Sequence, residues 1–252
     1  MKAFSVCGIS GSGKTTTIEN IVKELKSRNY KVGSVKEIHF EGFTIDPNPT
    51  SNTRRHREAG AELVCARGES ETDLLYPEKL PMSKIFSFYD KDYDWLVLEG
   101  VDDIPIPTIV TAHTLEDLEK KWSNMSFCVS GRISGSMSLE NEEYKGTPAI
   151  NSITDIRKLV DLIELKVYDI LPQFPPQCCD ACGMSCETLG VAILQGKKRR
   201  ADCVADKGIE LICGGRKIKM VPFVQALLKN AVLGVVSELE GYEKGQSIEI
   251  RF

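Results

Sequence analysis

Residues 8–15 read Gly-Ile-Ser-Gly-Ser-Gly-Lys-Thr, the Walker A spacing of residues that bind a phosphate chain. Glycines let such a loop turn so that its backbone N–H groups converge on phosphate oxygens. Lys14 is expected to place its charge on the β and γ phosphates, and the hydroxyl of Thr15 to complete the coordination of Mg²⁺. The predicted nucleotide-binding residues are those of this loop and the residue after it: Gly8, Ser10, Gly11, Ser12, Gly13, Lys14, Thr15 and Thr16.

An acidic residue ends the most apolar predicted strand, which spans residues 93–98. The tip of a strand beside the phosphate loop is the place for a group that holds a Mg²⁺-bound water or polarises the attacking one. Aspartate is usual there, so Glu99 is a variant. Lys14 and Glu99 are the predicted catalytic residues, and Thr15 and Glu99 the predicted magnesium ligands.

The elements that must position these groups form a βαβ unit. Residues 3–7 predict a strand, residues 16–28 have helical periodicity, and residues 31–35 are short and β-branched. Strands joined by such a crossover are parallel, and the helix directs its positive end at the phosphates. The predicted fold class is α/β, a P-loop nucleoside triphosphatase with a mostly parallel sheet.

Further polar groups follow the other predicted strands. Lys36, His39 and Asp46 are candidates for contacts with phosphate, metal or a partner, and a role as solvated loop residues is the alternative for each. A basic run at residues 54–57 suits either a second phosphate-bearing ligand or a surface helix face. The loop 130–135 is a candidate to cover the base, whose identity the residues alone leave open because no Asn-Lys-x-Asp occurs.

Four cysteines in the last third of the chain have the spacing of metal ligands: Cys179, Cys182, Cys186 and Cys203. Three thiolates on one tight loop and one from beyond a helix suit the corners of a 4Fe-4S cluster. A tetrahedral zinc site is the rival, although structural zinc sites more often use two separated Cys-x-x-Cys pairs. Cys178 is either a substitute ligand or a bystander. Cys7, Cys65 and Cys128 lie in predicted strands and are expected to be small core residues.

A proline-rich segment, residues 171–176, is predicted to follow a helix capped by Thr154 and to mark a domain boundary. The predicted units are a nucleotide-binding domain at 1–171, a linker at 172–177 and a small α+β iron–sulfur domain at 178–252. The second domain is expected to contain a helix at 189–196, a β hairpin at 209–220, an apolar helix at 222–239 and an edge strand at 247–252. The apolar helix is predicted to pack on the sheet, and an exposed dimer face is the alternative.

The overall composition narrows the choice of partners. The chain has 252 residues and a net charge of -4 at pH 7, which gives no general attraction to nucleic acid or acidic lipid. No apolar segment reaches the roughly 18 residues that a membrane span needs. Met1 leads almost directly into the first strand, so a cytoplasmic protein without a membrane or nucleic-acid partner is expected.

The first ~165 residues resemble the molybdopterin-guanine dinucleotide biosynthesis protein B (MobB) family. The resemblance is carried by residues 8–16, by Arg-x-Ala-Gly-Ala at 57–61, by Val-Leu-Glu-Gly at 97–100 and by Pro-Ile-Pro-Thr-Ile-Val at 105–110. It implies GTP, Mg²⁺, weak hydrolysis and a molybdopterin nucleotidyltransferase as partner. The family tends to show Lys-His-x-His-His where this chain has Lys-Glu-Ile-His-Phe at 36–40.

The cysteine segment resembles the small 4Fe-4S domain of electron-transport complex B subunits and corrinoid iron–sulfur proteins, including Ala-Ile-Leu-x-Gly at 192–196. Together the two resemblances imply a GTP-binding adaptor for molybdenum or tungsten cofactor synthesis that carries a cluster. A nucleotide-gated maturation factor or metallochaperone for a client metalloenzyme is the alternative, and a redox-sensing module is a third. By analogy with other P-loop adaptors, a homodimer is expected.

Overall fold

The computed structural model describes most of the chain, namely residues 1–40, 42–46, 48–90, 92–135, 143–173, 179, 182–205, 209, 211–214, 216–218, 220–243 and 248. Its strands are β1 (Lys2–Gly8), β2 (Val32–Lys36), β3 (Val64–Arg67), β4 (Thr72–Leu75), β5 (Trp95–Glu99), β6 (Thr108–Thr111), β7 (Ser126–Ser130), β8 (Glu143–Tyr144), β9 (Thr147–Pro148), β10 (Leu211–Cys213) and β11 (Arg216–Ile218). Its α-helices are α1 (Lys14–Ser27), α2 (Asn52–Glu58), α3 (Met82–Ser87), α4 (Leu115–Lys121), α5 (Ile156–Lys166), α6 (Cys186–Leu194) and α7 (Pro222–Val236).

A five-stranded sheet with the order β2-β5-β1-β6-β7 organises the molecule. Every pairing in it is parallel. The sequence of β5, Trp-Leu-Val-Leu-Glu, is almost wholly buried because a parallel sheet is covered on both faces. The α/β prediction is therefore confirmed. The strand that carries the phosphate loop, β1, lies at the centre of the sheet.

Buried apolar clusters cover both faces of the sheet. On one face, α1 and α5 pack through Ile21, Leu25 and Leu159 against Phe4 and its neighbours. On the other face, Phe86 of α3 packs against alternate residues of the central strands. Cys7 and Cys128 are buried in this sheet, as the sequence predicts.

Short hairpins stand outside the central sheet. Strand β3 pairs with β4 in a separate two-stranded sheet. The sequence did not predict β4. Cys65 lies in this hairpin and is exposed, so its predicted place in the core is wrong. A two-stranded ribbon cannot bury both of its faces, and a residue on β3 therefore stays accessible.

Helix α5 begins one residue later than predicted and ends earlier. Asp155 is its N-cap, while the hydroxyl of Thr154 donates to the carboxylate of Asp155 instead of accepting from the backbone. The helix ends at Lys166, and Asp169 then forms a β-bridge with Lys2. This bridge, and not a continuing helix, brings the following chain back to the sheet.

Helix α6 packs on the same core as the central sheet. Leu189 is 1% exposed, and Leu194 and Cys203 belong with Phe4 and Phe127 to one buried cluster. Part of the predicted linker, residues 174–177, lies outside the described residues, and so does Cys178. The division into two domains stays a prediction, and within the described residues the cysteine segment and the sheet share apolar contacts.

Helix α7 begins at Pro222, as predicted, but the described part of the chain does not bury it against a sheet. No residue of the helix is buried by the described part of the chain, and Phe223 is 74% exposed. The preceding strands β10 and β11 form an antiparallel hairpin, as predicted, with Gly214 in its turn. This two-stranded sheet is too small to cover the helix. The predicted edge strand at 247–252 falls almost entirely outside the described residues.

Candidate functional site

A cavity of about 1100 Å³ opens at the carboxyl ends of the central strands. Parallel α/β sheets bind their ligands at this edge. The phosphate loop, the ends of β2 and β5, and the loops after β7 and β9 line the cavity. Seven of the eight predicted nucleotide-binding residues face it: Gly8, Ser10, Gly11, Gly13, Lys14, Thr15 and Thr16.

Glycine is required at two points of the phosphate loop. A Cβ at Gly8 would lie 2.2 Å from the carbonyl oxygen of Thr111, a distance that no side chain can adopt. Gly13 has a φ of 100°, in the left-handed region, and forms the N-cap of α1 without a side-chain hydrogen bond. The first N–H groups of α1 therefore stay available at the cavity, which is the arrangement that binds anions.

Ser12 differs from the rest of the loop because its side chain points away from the cavity. It is fully buried, its hydroxyl donates to the carbonyl of Ile9 at 2.8 Å, and it lies 2.7 Å from the hydroxyl of Thr111. Its backbone carbonyl accepts from the N–H of Arg132 at 3.0 Å. Ser12 thus fixes the loop to β6 and to the turn after β7.

Lys14 is folded back onto its own loop. Its Nζ donates to the carbonyl oxygens of Gly8 at 2.9 Å and Ile9 at 2.7 Å. Burial lowers the pKa of the Lys14 ammonium, the carboxylate of Glu99 opposes this effect, and the ammonium of Lys36 adds to it. An anion entering the loop would offer Lys14 a partner with more negative charge than two carbonyl groups.

Glu99 connects the phosphate loop to the edge strand β2. Its Oε1 accepts a hydrogen bond from the hydroxyl of Thr15 at 3.0 Å and another from Nζ of Lys36 at 2.5 Å. The side chain of Glu99 is 12% exposed, whereas that of Lys36 is 58% exposed. The structure therefore brings together three of the sequence candidates, and it places two ammonium groups and one carboxylate around the end of the loop.

Other candidates from the sequence lie apart from the cavity. The carboxylate of Asp46 accepts hydrogen bonds from Ser51 and Thr53, which lower its pKa, and it also pairs with Arg57. Arg54 pairs with Glu58 along α2. These contacts hold a loop and a short helix together, and they do not support a second phosphate site at the basic run. His39, by contrast, lines the cavity.

Asp102, an acidic residue of the loop after β5, and the loop 151–153, which was not predicted from the sequence, also line the cavity. Asp102 forms an ion pair with Lys121 at 2.9 Å at one side of the cavity, and the loop 151–153 lines another. The hydroxyls of Ser152 and Thr17 lie 3.2 Å apart, which ties this loop to α1. Only the position of this loop after a strand end could have indicated it. The loop 130–135 contributes Gly131 and Arg132 to the lining.

The four candidate metal-ligating cysteines lie near one another in sequence and against one apolar core. Cys179, Cys182 and Cys186 are partly buried against that core, while Cys203 is within it. None of the four is in a disulfide. In the described part of the chain, no three His, Cys, Asp or Glu side chains are grouped so that they could hold a metal ion. The thiols therefore do not form an assembled ligand set for a cluster or for zinc.

A buried tyrosine lies beside this segment. Tyr168 is 8% exposed, and its hydroxyl has no hydrogen-bond partner within the described residues. Burial raises the pKa of Tyr168. The hydroxyl lies against Gly190 of α6, where a Cβ would approach it to 2.3 Å. The absence of a side chain at residue 190 is what allows α6 to pack here.

Comparison with known proteins agrees with this architecture. Residues 3–126 match the model of the family described as molybdopterin guanine dinucleotide synthesis protein B, MobB. Over 99% of its length the chain is 27% identical to a putative molybdopterin-guanine dinucleotide biosynthesis adapter protein of Methanocaldococcus jannaschii, of which it covers 97%. It is 28% identical to a probable adapter protein of the same kind from Bacillus subtilis over 45% of this chain and 66% of the relative.

The fold is shared with a solved structure. The crystal structure of Bacillus subtilis MobB superposes with a TM-score of 0.54 and 23% identity, covering 65% of this chain and 96% of the other. Both have the α/β architecture with a mostly parallel sheet. No helix within the described ranges is long and apolar enough to cross a membrane.

Proposed function

We propose that this chain is a member of the MobB family and works as a GTP-binding adapter in molybdopterin-guanine dinucleotide biosynthesis. The family model and the relatives support the adapter role. The observation that carries the nucleotide part is the meeting of Lys14, Thr15 and Glu99 at one cavity beyond the carboxyl ends of the central strands. Such a constellation suits a triphosphate better than any other common ligand.

The phosphate chain would be held mainly by groups of the loop itself. Free N–H groups at the start of α1 would donate to phosphate oxygens, and Lys14 would exchange the carbonyls of Gly8 and Ile9 for a phosphate. Because burial lowers the pKa of the Lys14 ammonium, an anion at this position would favour its charged form again.

The residues also fit Mg²⁺. This ion usually takes one or two protein oxygens together with phosphate oxygens and water. Thr15 and Glu99 offer two oxygens 3.0 Å apart at the cavity wall. When bound, the ion would neutralise charge on the β and γ phosphates. Hydrolysis is expected to be weak, as the resemblance to the MobB family implies.

The assignment of guanine as the base rests on the similarity to the MobB family. We propose that the phosphate end lies toward β5 and β2, because the candidate magnesium ligands Thr15 and Glu99 meet there, and that the base extends toward β7 and the loop after β9. Arg132 and Asn151 line that end of the cavity. They are the residues of the described chain that we expect to contact the base.

The proposed partner is a molybdopterin nucleotidyltransferase. The alternative partner is a client metalloenzyme, as for a maturation factor or metallochaperone. Co-purification from the native host distinguishes the two: recovery of the nucleotidyltransferase supports the adapter, and recovery of an apo-metalloenzyme supports the alternative. A homodimer stays a prediction that mass measurement of the intact complex would test.

The 4Fe-4S cluster stays a prediction from cysteine spacing, with zinc as its rival, and no step of the proposed function passes through it. The four thiols would have to move together to form a ligand set. Anaerobic purification followed by iron, acid-labile sulfide and zinc analysis tests the prediction. Iron with sulfide is the expected result, and zinc without iron would reject the cluster.

The nucleotide proposal is tested by Lys14→Ala, with Mg²⁺-GTP binding measured by titration calorimetry. Loss of the ammonium should weaken binding about tenfold or more, because a hydrogen bond to a charged group contributes on the order of 2 kcal/mol. Lys26→Ala, in the last turn of the same helix, is the control and should bind like the parent chain. Equal GTP affinity in the parent and Lys14→Ala would show that the nucleotide assignment is wrong.

A further inference from the structure

One charged group at the cavity has no role in the function proposed above. Lys36 ends β2, whose backbone pairs with β5 so that Lys36 and Glu99 are direct register partners. The N–H of Glu37 donates to the carbonyl oxygen of Glu99 at 2.9 Å and continues this ladder by one residue. The backbone therefore holds the start of the Lys36 side chain rigidly beside the tip of β5.

The ammonium of Lys36 lies at the cavity, where Nζ donates to Oε1 of Glu99 at 2.5 Å. Its side chain is 58% exposed, so its other two N–H groups can reach a further partner without leaving the cavity. The same carboxylate oxygen accepts from Thr15. Lys36 therefore shares its partner with a residue of the phosphate loop.

The charges around Oε1 are not balanced. Lys14 and Lys36 bring two positive charges and Glu99 brings one negative charge, and both Glu99 and Lys36 lie close enough to Lys14 to affect its pKa. A terminal phosphate carries more negative charge than a carboxylate and is the stronger partner for an ammonium group. If Thr15 and Glu99 hold Mg²⁺, the metal and Lys36 would be like charges at one oxygen, which would favour the move of Lys36 to phosphate still further.

The strand order decides which phosphate Lys36 can reach. Strand β2 is the edge strand beyond β5, whereas the loop after β7 lies at the other edge of the sheet. The candidate magnesium ligands Thr15 and Glu99 lie at the end of β5, beside β2, so the third phosphate of a bound triphosphate would lie nearest to these two strands. A nucleoside diphosphate ends one phosphate short of this position.

We infer that Lys36 is the residue by which this site distinguishes a nucleoside triphosphate from a diphosphate, through a charged hydrogen bond to the terminal phosphate. The inference rests on the proposed function, because it needs a nucleotide in the phosphate loop. Without the third phosphate, Lys36 stays on Glu99. With it, Lys36 transfers to phosphate and no longer shares Oε1 of Glu99 with Thr15.

The test compares GTPγS and GDP, each with Mg²⁺, on the full chain by titration calorimetry. Lys36→Met keeps the length of the side chain and removes its charge. Because the Lys36 side chain is exposed, we expect the variant to fold like the parent chain. We expect GTPγS affinity to fall about tenfold or more and GDP affinity to change by less than about twofold. Lys36→Arg should restore most of the preference. Lys31 is an exposed lysine just before the start of β2, and Lys31→Met is the matched control. This variant should keep the full preference for GTPγS over GDP.

The outcomes separate the inference from the proposed function. If the parent chain binds neither nucleotide, the proposed function fails and the inference fails with it. If both nucleotides bind the parent chain and Lys36→Met leaves their affinity ratio unchanged, the inference alone is wrong. Equal weakening of both ligands also overturns it, because that result would assign Lys36 to the support of Glu99 and not to the third phosphate.

Discussion

The phosphate loop and the cysteine segment differ in how their polar groups are held. At the loop, the candidate catalytic and magnesium-binding side chains already have polar partners: Lys14 has two carbonyls, and Thr15 and Lys36 share Glu99. In the cysteine segment, the thiols lie against apolar side chains, and Cys182 makes a long contact of 3.5 Å with the carbonyl of Met184. The first region is prepared for a ligand, and the second is held by apolar packing.

The difference follows from what each kind of site requires. A phosphate loop binds through backbone N–H groups, whose positions are set once β1, the glycines and α1 are in place. A thiolate site needs four side chains from separate turns to meet within bonding distance of a metal, and metal binding itself often drives that arrangement. Shared burial with the central sheet does not supply it.

The largest effect in this comparison is expected for Gly8→Ala. A Cβ at this position would lie 2.2 Å from a backbone oxygen of β6, which cannot move without disturbing the sheet. We expect a loss of about 3 kcal/mol in the free energy of unfolding, together with loss of GTP binding. Urea unfolding and calorimetry measure the two effects.

Gly234→Ala is the control for this substitution, because nothing lies within 4 Å of a Cβ at Gly234 in α7. It should leave nucleotide binding unchanged and raise stability by up to about 1 kcal/mol. If Gly8→Ala bound GTP normally, the close approach of the loop to β6 would not be needed for the site.

A smaller effect is expected where the cysteine segment meets the sheet. Gly190→Ala would press a methyl group against the Tyr168 hydroxyl and should cost about 1–2 kcal/mol in the free energy of unfolding. Tyr168→Phe removes a buried hydroxyl that lacks a partner in the described chain, so it should be neutral or stabilise by about 1 kcal/mol.

The double variant, Gly190→Ala with Tyr168→Phe, tests whether the Tyr168 hydroxyl is the group that a methyl at residue 190 would press against. It should recover part of the stability lost in Gly190→Ala, because the two positions are in contact. A clear loss of stability in Tyr168→Phe alone would contradict it, since that result would mean that the hydroxyl has a partner, as a bound cluster or another ligand beside the cysteines would provide. Chemical denaturation of the four proteins measures the cycle.

The smallest effect is a dependence of stability on pH. Lys14 has a lowered pKa in the folded chain, so the unfolded chain binds more protons between that lowered value and 10.5. Lys14 should therefore make the folded state more stable as pH rises through this window, and Lys14→Met should lack this contribution. Denaturation of the two proteins at several pH values measures the difference, and parallel curves would contradict the burial of Lys14.

Much of the central sheet could be predicted from sequence. The strand of β1, the loop, α1, β2 and the apolar run of β5 are local patterns, and a loop that binds through its backbone needs only those patterns. The glycine spacing and Lys14 were therefore sufficient to locate the cavity. From the sequence, Lys36 is one of several candidates for a contact with phosphate, metal or a partner. Its place beside Glu99 could not be predicted, because strand order is not a local property.

Other elements could not be predicted because their environment decides them. Cys65 and α7 are both apolar enough to be buried, and both are exposed, since burial depends on which neighbours the chain provides. Thr154 and Asp155 are both good helix caps, and the backbone angles of Asp155 decide between them.

By itself the amino-acid sequence determined the phosphate loop, its helix and the parallel character of the sheet, because each depends on residues that are adjacent along the chain. Only the tertiary structure decided the strand order β2-β5-β1-β6-β7, and with it the meeting of Lys36, Glu99 and Thr15. The physical reason is that residues 15, 36 and 99 are brought together by packing and backbone pairing between strands, which no local pattern specifies.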